Sequence, residues 1–91
     1  MKVVFVSSKN LNQRYSVPEI SMFGVYKKRK DVTKSLQKYA QTLAVEKQWN
    51  PAVSDKGKGI AGGIEYKYMV VDSFEDVNPQ PQVNITEFFY E

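Results

Sequence analysis

Apolar and polar positions along the chain change pattern from segment to segment, and each patterned segment predicts an element. Lys2–Ser8 is β-branched and aromatic, with Val3 and Phe5 on one face and Val4 and Val6 on the other. Two apolar faces predict a central strand. Residues 9–18 are polar, end at Pro18 and read as a loop. Ile20–Tyr26 reads as a second strand, in which Gly24 marks a bulge or a close backbone approach. Val32, Leu36, Tyr39, Ala40 and Leu43 then recur at helical spacing. Asp31 suits the start of that helix, and Pro51 is expected to end it by about Trp49. Val45 and Trp49 lie off the apolar stripe, leaving them either folded back over the core or on the surface.

Residues 50–63 hold Pro51, Gly57, Gly59, Gly62 and Gly63 and are expected to form a mobile loop. Ile64–Asp72 alternates cleanly, with Ile64, Tyr66, Tyr68 and Val70 on one side, and reads as a third strand. Asn78-Pro79-Gln80-Pro81-Gln82 reads as an extended connector, and Val83–Tyr90 as a fourth strand. The order ββαββ predicts an α+β fold, an antiparallel sheet of three to four strands with one helix packed on one face. The face away from the helix must be solvated, covered by loops, or covered by a partner. A homodimer through that uncovered face is one such solution.

Length confines the chain to one domain, 1–91. Its apolar share of 42% is enough to fold, which argues against disorder throughout. With no Cys there is no disulfide and no thiolate metal site, and a secreted domain of this size usually needs such staples. The apolar start at Val3–Val6 is too short for a signal peptide, and no run is long enough to span a membrane. A cytoplasmic location is therefore expected. Asn84-Ile85-Thr86 fits a glycosylation sequon, but without an export signal it carries no weight. The absence of His removes the commonest general base and metal ligand. No catalytic residue, metal or other cofactor is expected, and the chain reads as a non-enzyme.

Charge changes the picture more than composition does. Residues 1–50 carry ten Lys or Arg against three acids, whereas residues 51–91 carry three Lys against seven acids. The densest feature is Lys27-Lys28-Arg29-Lys30, continued along the helix by Lys34 and Lys38. Positive charge at a helix N-terminus opposes its dipole, so the run is locally unfavourable. Three readings fit it: docking onto an acidic protein surface, phosphate neutralisation on nucleic acid, or a solvated face balanced by the acidic second half. No helix-turn-helix, zinc-finger or RNA-recognition signature accompanies it.

Gly57-Lys58-Gly59-Ile60-Ala61-Gly62 spells G-x-G-x-x-G, but a helix precedes it and a strand follows, the reverse of a dinucleotide site. It reads as a flexible loop, with an anion contact through Lys56 and Lys58 as the alternative. Glu65-Tyr66-Lys67 matches half of a metal-dependent nuclease site, which would need further acids such as Glu19 and Asp72. Cross-strand charge pairing is the simpler account. Tyr66, Tyr68, Phe88, Phe89 and Tyr90 can stack on bases or pack in a core. Adjacent Phe88 and Phe89 on a strand would face opposite ways, which makes one of them a candidate exposed anchor.

Val3–Val6, then Gly24-Val25-Tyr26, then Val32–Leu43 and Ile64–Val71 give a strand, a second strand ending in GVY, a helix, and a return strand. In this layout the chain resembles a class of small bacteriophage and prophage accessory proteins. It departs from them in two ways. Lys27–Lys30 stands where Ser and acidic residues usually open the helix, and there is an extra strand near the C-terminus. The resemblance implies origin in a mobile element, and with it a host-cell cytoplasmic location; many proteins of this class look like accessory factors that bind and redirect or block a host protein.

Overall fold

The computed structural model describes residues 1–72 together with Phe88 and Phe89. It is an α+β fold in the order β1 (Lys2–Asn10), β2 (Glu19–Tyr26), α1 (Arg29–Leu43), β3 (Lys56–Ala61) and β4 (Ile64–Asp72). The four strands form one antiparallel sheet in the order β2-β1-β4-β3. β1 is central, as its two apolar faces require. Its register with β2 shifts between Val4 and Phe5, so β2 bulges at Phe23, beside Gly24.

Antiparallel partners point to the same side, so the register sorts the side chains. Val4, Val6, Tyr68 and Val70 face α1, and meet Val32, Leu36 and Ala40 in one buried cluster. Val3, Phe5 and Met69 face the other way. Tyr39 packs on Phe23 at 4.8 Å between ring centres, and Trp49 packs on Tyr68 at 4.9 Å, extending the first cluster across the sheet.

The helix stops at Leu43, earlier than its periodicity suggests. Ala44 takes the left-handed conformation (φ 63°, ψ 35°), and its N–H bonds back to the carbonyls of Ala40 and Gln41. The chain then reverses, burying Val45 and Trp49 over the core. Trp49 Nε1 donates to the Tyr66 carbonyl at 3.4 Å. Burial of two large apolar groups outweighs the cost of one strained residue.

Residues 56–61 form an edge strand where the sequence suggests a loop. The disguise is physical. Gly57, Gly59 and Ala61 occupy the side facing α1, so the usual apolar alternation is missing. A Cβ at Gly57 would lie 2.1 Å from the Tyr68 ring, and one at Gly59 would lie 2.8 Å from Val45. The hairpin closes through Gly62 and Gly63, whose φ values of 60° and 78° match the positive pair of a type I′ turn. Gln48 caps the exposed edge: its amide donates to the Ile60 carbonyl and accepts from the Ile60 N–H.

Near the C-terminus, Phe88 and Phe89 are helical rather than extended, and the rest of the expected strand Val83–Tyr90 lies outside the described residues. Phe89 is 2% exposed and packs on Val3, Phe5 and Met69. The sheet face away from α1 is thus partly covered by the chain itself. Among the described residues, no helix is long and apolar enough to cross a membrane.

Candidate functional site

The basic run divides into two parts with different duties. Arg29, at the first turn of α1, turns inward. Its guanidinium pairs with the Asp55 carboxylate and donates to the carbonyls of Pro51 at 2.8 Å and Ser54 at 3.2 Å. Thr33 Oγ1 adds a bond to the Pro51 carbonyl at 3.3 Å. Together they tie the start of the helix to the segment that leads into β3. Arg29 is therefore a structural anchor, since a planar fork with several donors suits a cluster of carbonyls and one carboxylate.

Lys27, Lys28, Lys30, Lys34 and Lys38 are exposed, and none makes an ion pair among the described residues. Lys28 is the N-cap of α1, extended and without a capping side-chain bond. Lys30, Lys34 and Lys38 follow at steps of four residues, about 6 Å apart along the axis. The buried row Val32, Leu36 and Ala40 has the same step, offset by two residues. Two residues turn a helix by about 200°. The lysine row thus points directly away from the sheet. Asp31 is the sole acid within α1. The result is a row of three lysines on the solvent side of the helix, with Lys27 and Lys28 exposed on the turn that leads into it.

The aromatic residues do not extend this surface. Tyr68 is buried, and its hydroxyl donates to the Ser54 carbonyl at 2.9 Å. Burial pushes its pKa above the ordinary tyrosine value. Tyr66 packs against the main core, Phe89 lies within the second cluster, and Phe88 is half-buried against it. As an exposed anchor Phe89 is ruled out by its burial. Tyr90 lies outside the described residues.

The sequence fragments that hinted at catalysis do not assemble. Glu65 and Lys67 share the face away from α1, as alternation requires, but Glu65 stands directly opposite Lys9. Asp72 is at the far end of β4, where its carboxylate accepts from Lys2 Nζ at 2.8 Å. That hydrogen bond holds Asp72 below the usual carboxylate range. Glu19 pairs in register with Ser8 on the helix side of the sheet. No group of three metal-ligating side chains occurs among the described residues. A cavity of about 250 Å³ opens beside β1 and β2. Glu19 is the one carboxylate in its lining, with Ser8, Ser21 and Tyr39, so it offers no acid–base pair.

No family model, curated protein or solved structure matches this chain.

Proposed function

We propose that this is a non-enzymatic binding protein that docks the lysine stripe of α1 onto an acidic surface of another protein and so modulates it. The observation that carries the reading is the stripe: Lys27, Lys28, Lys30, Lys34 and Lys38 stand exposed and unpaired among the described residues, the last three on a helix locked from behind and the first two on the turn into it. Holding like charges in one row costs free energy, and an acidic partner returns it. A helix anchored through Arg29 and a buried apolar row presents those charges in a fixed order. Fixed order favours a specific protein patch over diffuse attraction. On the phage-like layout, the partner would be a host protein met in the host cytoplasm.

A second reading rests on the straightness of the row. Ammonium groups at regular steps of about 6 Å also suit a phosphodiester backbone. With Tyr66, Tyr68 and Phe89 packed inward, such binding would be electrostatic and indifferent to base sequence.

The test is a pull-down from lysate of the source or host cell, with and without nuclease. It compares the natural chain with a variant in which the five lysines are alanine and Arg29 is retained. One stoichiometric protein that survives nuclease and is lost with the variant supports the first reading. Loss on nuclease treatment, with affinity falling steeply as salt rises, moves the second to the front. A partner held equally by the variant removes both.

A further inference from the structure

Lys56, Lys58 and Lys67 stand together on the face of the sheet turned away from α1. Lys58 is directly opposite Lys67 across β3 and β4, and Lys56 is opposite Met69. Like charges directly opposite one another destabilise an antiparallel pair. Lys67 raises that cost because it is only 6% exposed. Its ammonium donates to the Phe88 carbonyl at 2.8 Å and sits 4.8 Å from the centre of the Phe88 ring. Lys56 Nζ lies 5.7 Å from the same ring centre.

A lysine ammonium has three N–H donors. Among the described residues, a neutral carbonyl and a ring face are what Lys67 meets. Both are weaker partners for a desolvated cation than an anion is. Glu65 shares this face, but it stands opposite Lys9 rather than either lysine of the Lys58–Lys67 pair. The charge on this patch is therefore unanswered among the described residues, and it lies across the sheet from the helix stripe.

We propose that Lys56, Lys58 and Lys67 form a second, separate site that binds a small phosphate-bearing anion, with the Phe88 ring as its wall. Three cationic groups from adjacent strand positions suit a phosphate, which has oxygens enough for each. A single carboxylate has two. The recessed position of Lys67 selects a small ligand over a broad charged surface. The glycines of β3 contribute indirectly: they let the strand that carries Lys56 and Lys58 lie close to Tyr68 and Val45.

The experiment is a titration with inorganic phosphate at constant ionic strength, followed by backbone amide shifts. The natural chain is compared with Lys58→Ala, Lys67→Met, and a triple helix variant, Lys30→Ala with Lys34→Ala and Lys38→Ala. Saturable shifts are expected at residues 56–58, 67 and 88. Lys58→Ala and Lys67→Met should each weaken binding about tenfold, as loss of one charge-assisted hydrogen bond implies. The triple helix variant should bind unchanged, which separates this site from the docking stripe. If Lys67→Met does not fold, the exposed Lys58 position decides alone. Shifts that fail to saturate, that spread equally over Lys30–Lys38, or that survive Lys58→Ala would overturn the proposal.

Discussion

On the side of the sheet that faces α1, Val4, Val6, Tyr68 and Val70 close against Val32, Leu36, Ala40, Val45 and Trp49. On the other side, Val3, Phe5 and Met69 close against Phe89. The first cluster draws on a helix, the reversed chain after it, and two strands. Among the described residues, the second draws on the same two strands and on Phe89, with Ile20, Val71 and Phe88 at its margin. Lysines border the second cluster, where Lys67 is buried under Phe88. The contrast teaches where stability and chemistry separate in a small domain. One face is spent on apolar closure, and its outer surface is free to carry lysines on a rigid helix. The other keeps polar groups within the sheet and, among the described residues, has less apolar cover.

Truncating one residue on each side tests that division. Leu36→Ala should lower the unfolding free energy by about 3 kcal/mol, because the helix and strands around it cannot collapse into the space. Phe89→Ala deletes a larger side chain, yet should cost less, about 2 kcal/mol. The smaller cluster can open to water locally without unfolding the rest. Urea denaturation of both variants measures the difference. Equal losses, with equal slopes, would mean that the two faces melt as one core.

Within β3 the same contrast runs residue by residue. Gly57 faces the helix side and Ile60 faces away, where it is 46% exposed. Gly57→Ala drives a methyl into the Tyr68 ring and should cost about 2 kcal/mol by overpacking. Ile60→Ala should stay within about 0.5 kcal/mol, as surface substitutions do. A silent Gly57→Ala would show that Tyr68 can swing aside, and that the glycines are not there for the close approach.

How far the residues alone could be read differs between β3 and the other strands. β1, β2 and β4 carry strong apolar patterns, and their boundaries and the central place of β1 are legible. The helix is legible too, apart from its end, because nothing in Ala44 announces a left-handed turn. β3 was hidden because its helix-facing positions are glycine and alanine, and propensity counts glycine against a strand. What demands glycine there is the bulk of Tyr68 and Val45, distant in sequence. The candidate surface was legible as a basic run. Its division into a half-buried anchor and an exposed stripe was not. That division depends on where Pro51, Ser54 and Asp55 fall, which only the fold decides. The grouping of Lys67 with Lys56 and Lys58 was unreadable for the same reason: it needs the hairpin register.

Tyr68 adds a pH dependence that belongs to the helix side alone. Its buried hydroxyl favours the neutral form, so its pKa in the folded chain lies above the ordinary value of 10.0. The stabilisation is fully present below pH 10.0 and is lost as pH rises through the folded value. Tyr68→Phe removes the bond to the Ser54 carbonyl and should cost about 1 kcal/mol near neutrality. It should also flatten the alkaline limb of the stability profile. An unchanged alkaline limb would assign that limb to other groups.

The smallest effect sharpens the comparison most, because it should be a gain confined to one face. Ala44 is exposed and holds φ at 63°, a region that costs an L-residue about 1–2 kcal/mol. Ala44→Gly removes that cost but gives back part of it through the greater freedom of the unfolded chain. A net gain of about 0.5 kcal/mol is expected. The residue loses no buried contact, so the change acts through the turn that returns Val45 and Trp49 to the core. If the two faces are independent, the gain should be the same in the natural chain and in the Phe89→Ala background, since distant sites add. A gain that shrinks when Phe89 is absent would mean that closure behind the sheet helps to set the turn in front of it. In that case the helix bearing the lysine stripe would be coupled to the residues around Lys67.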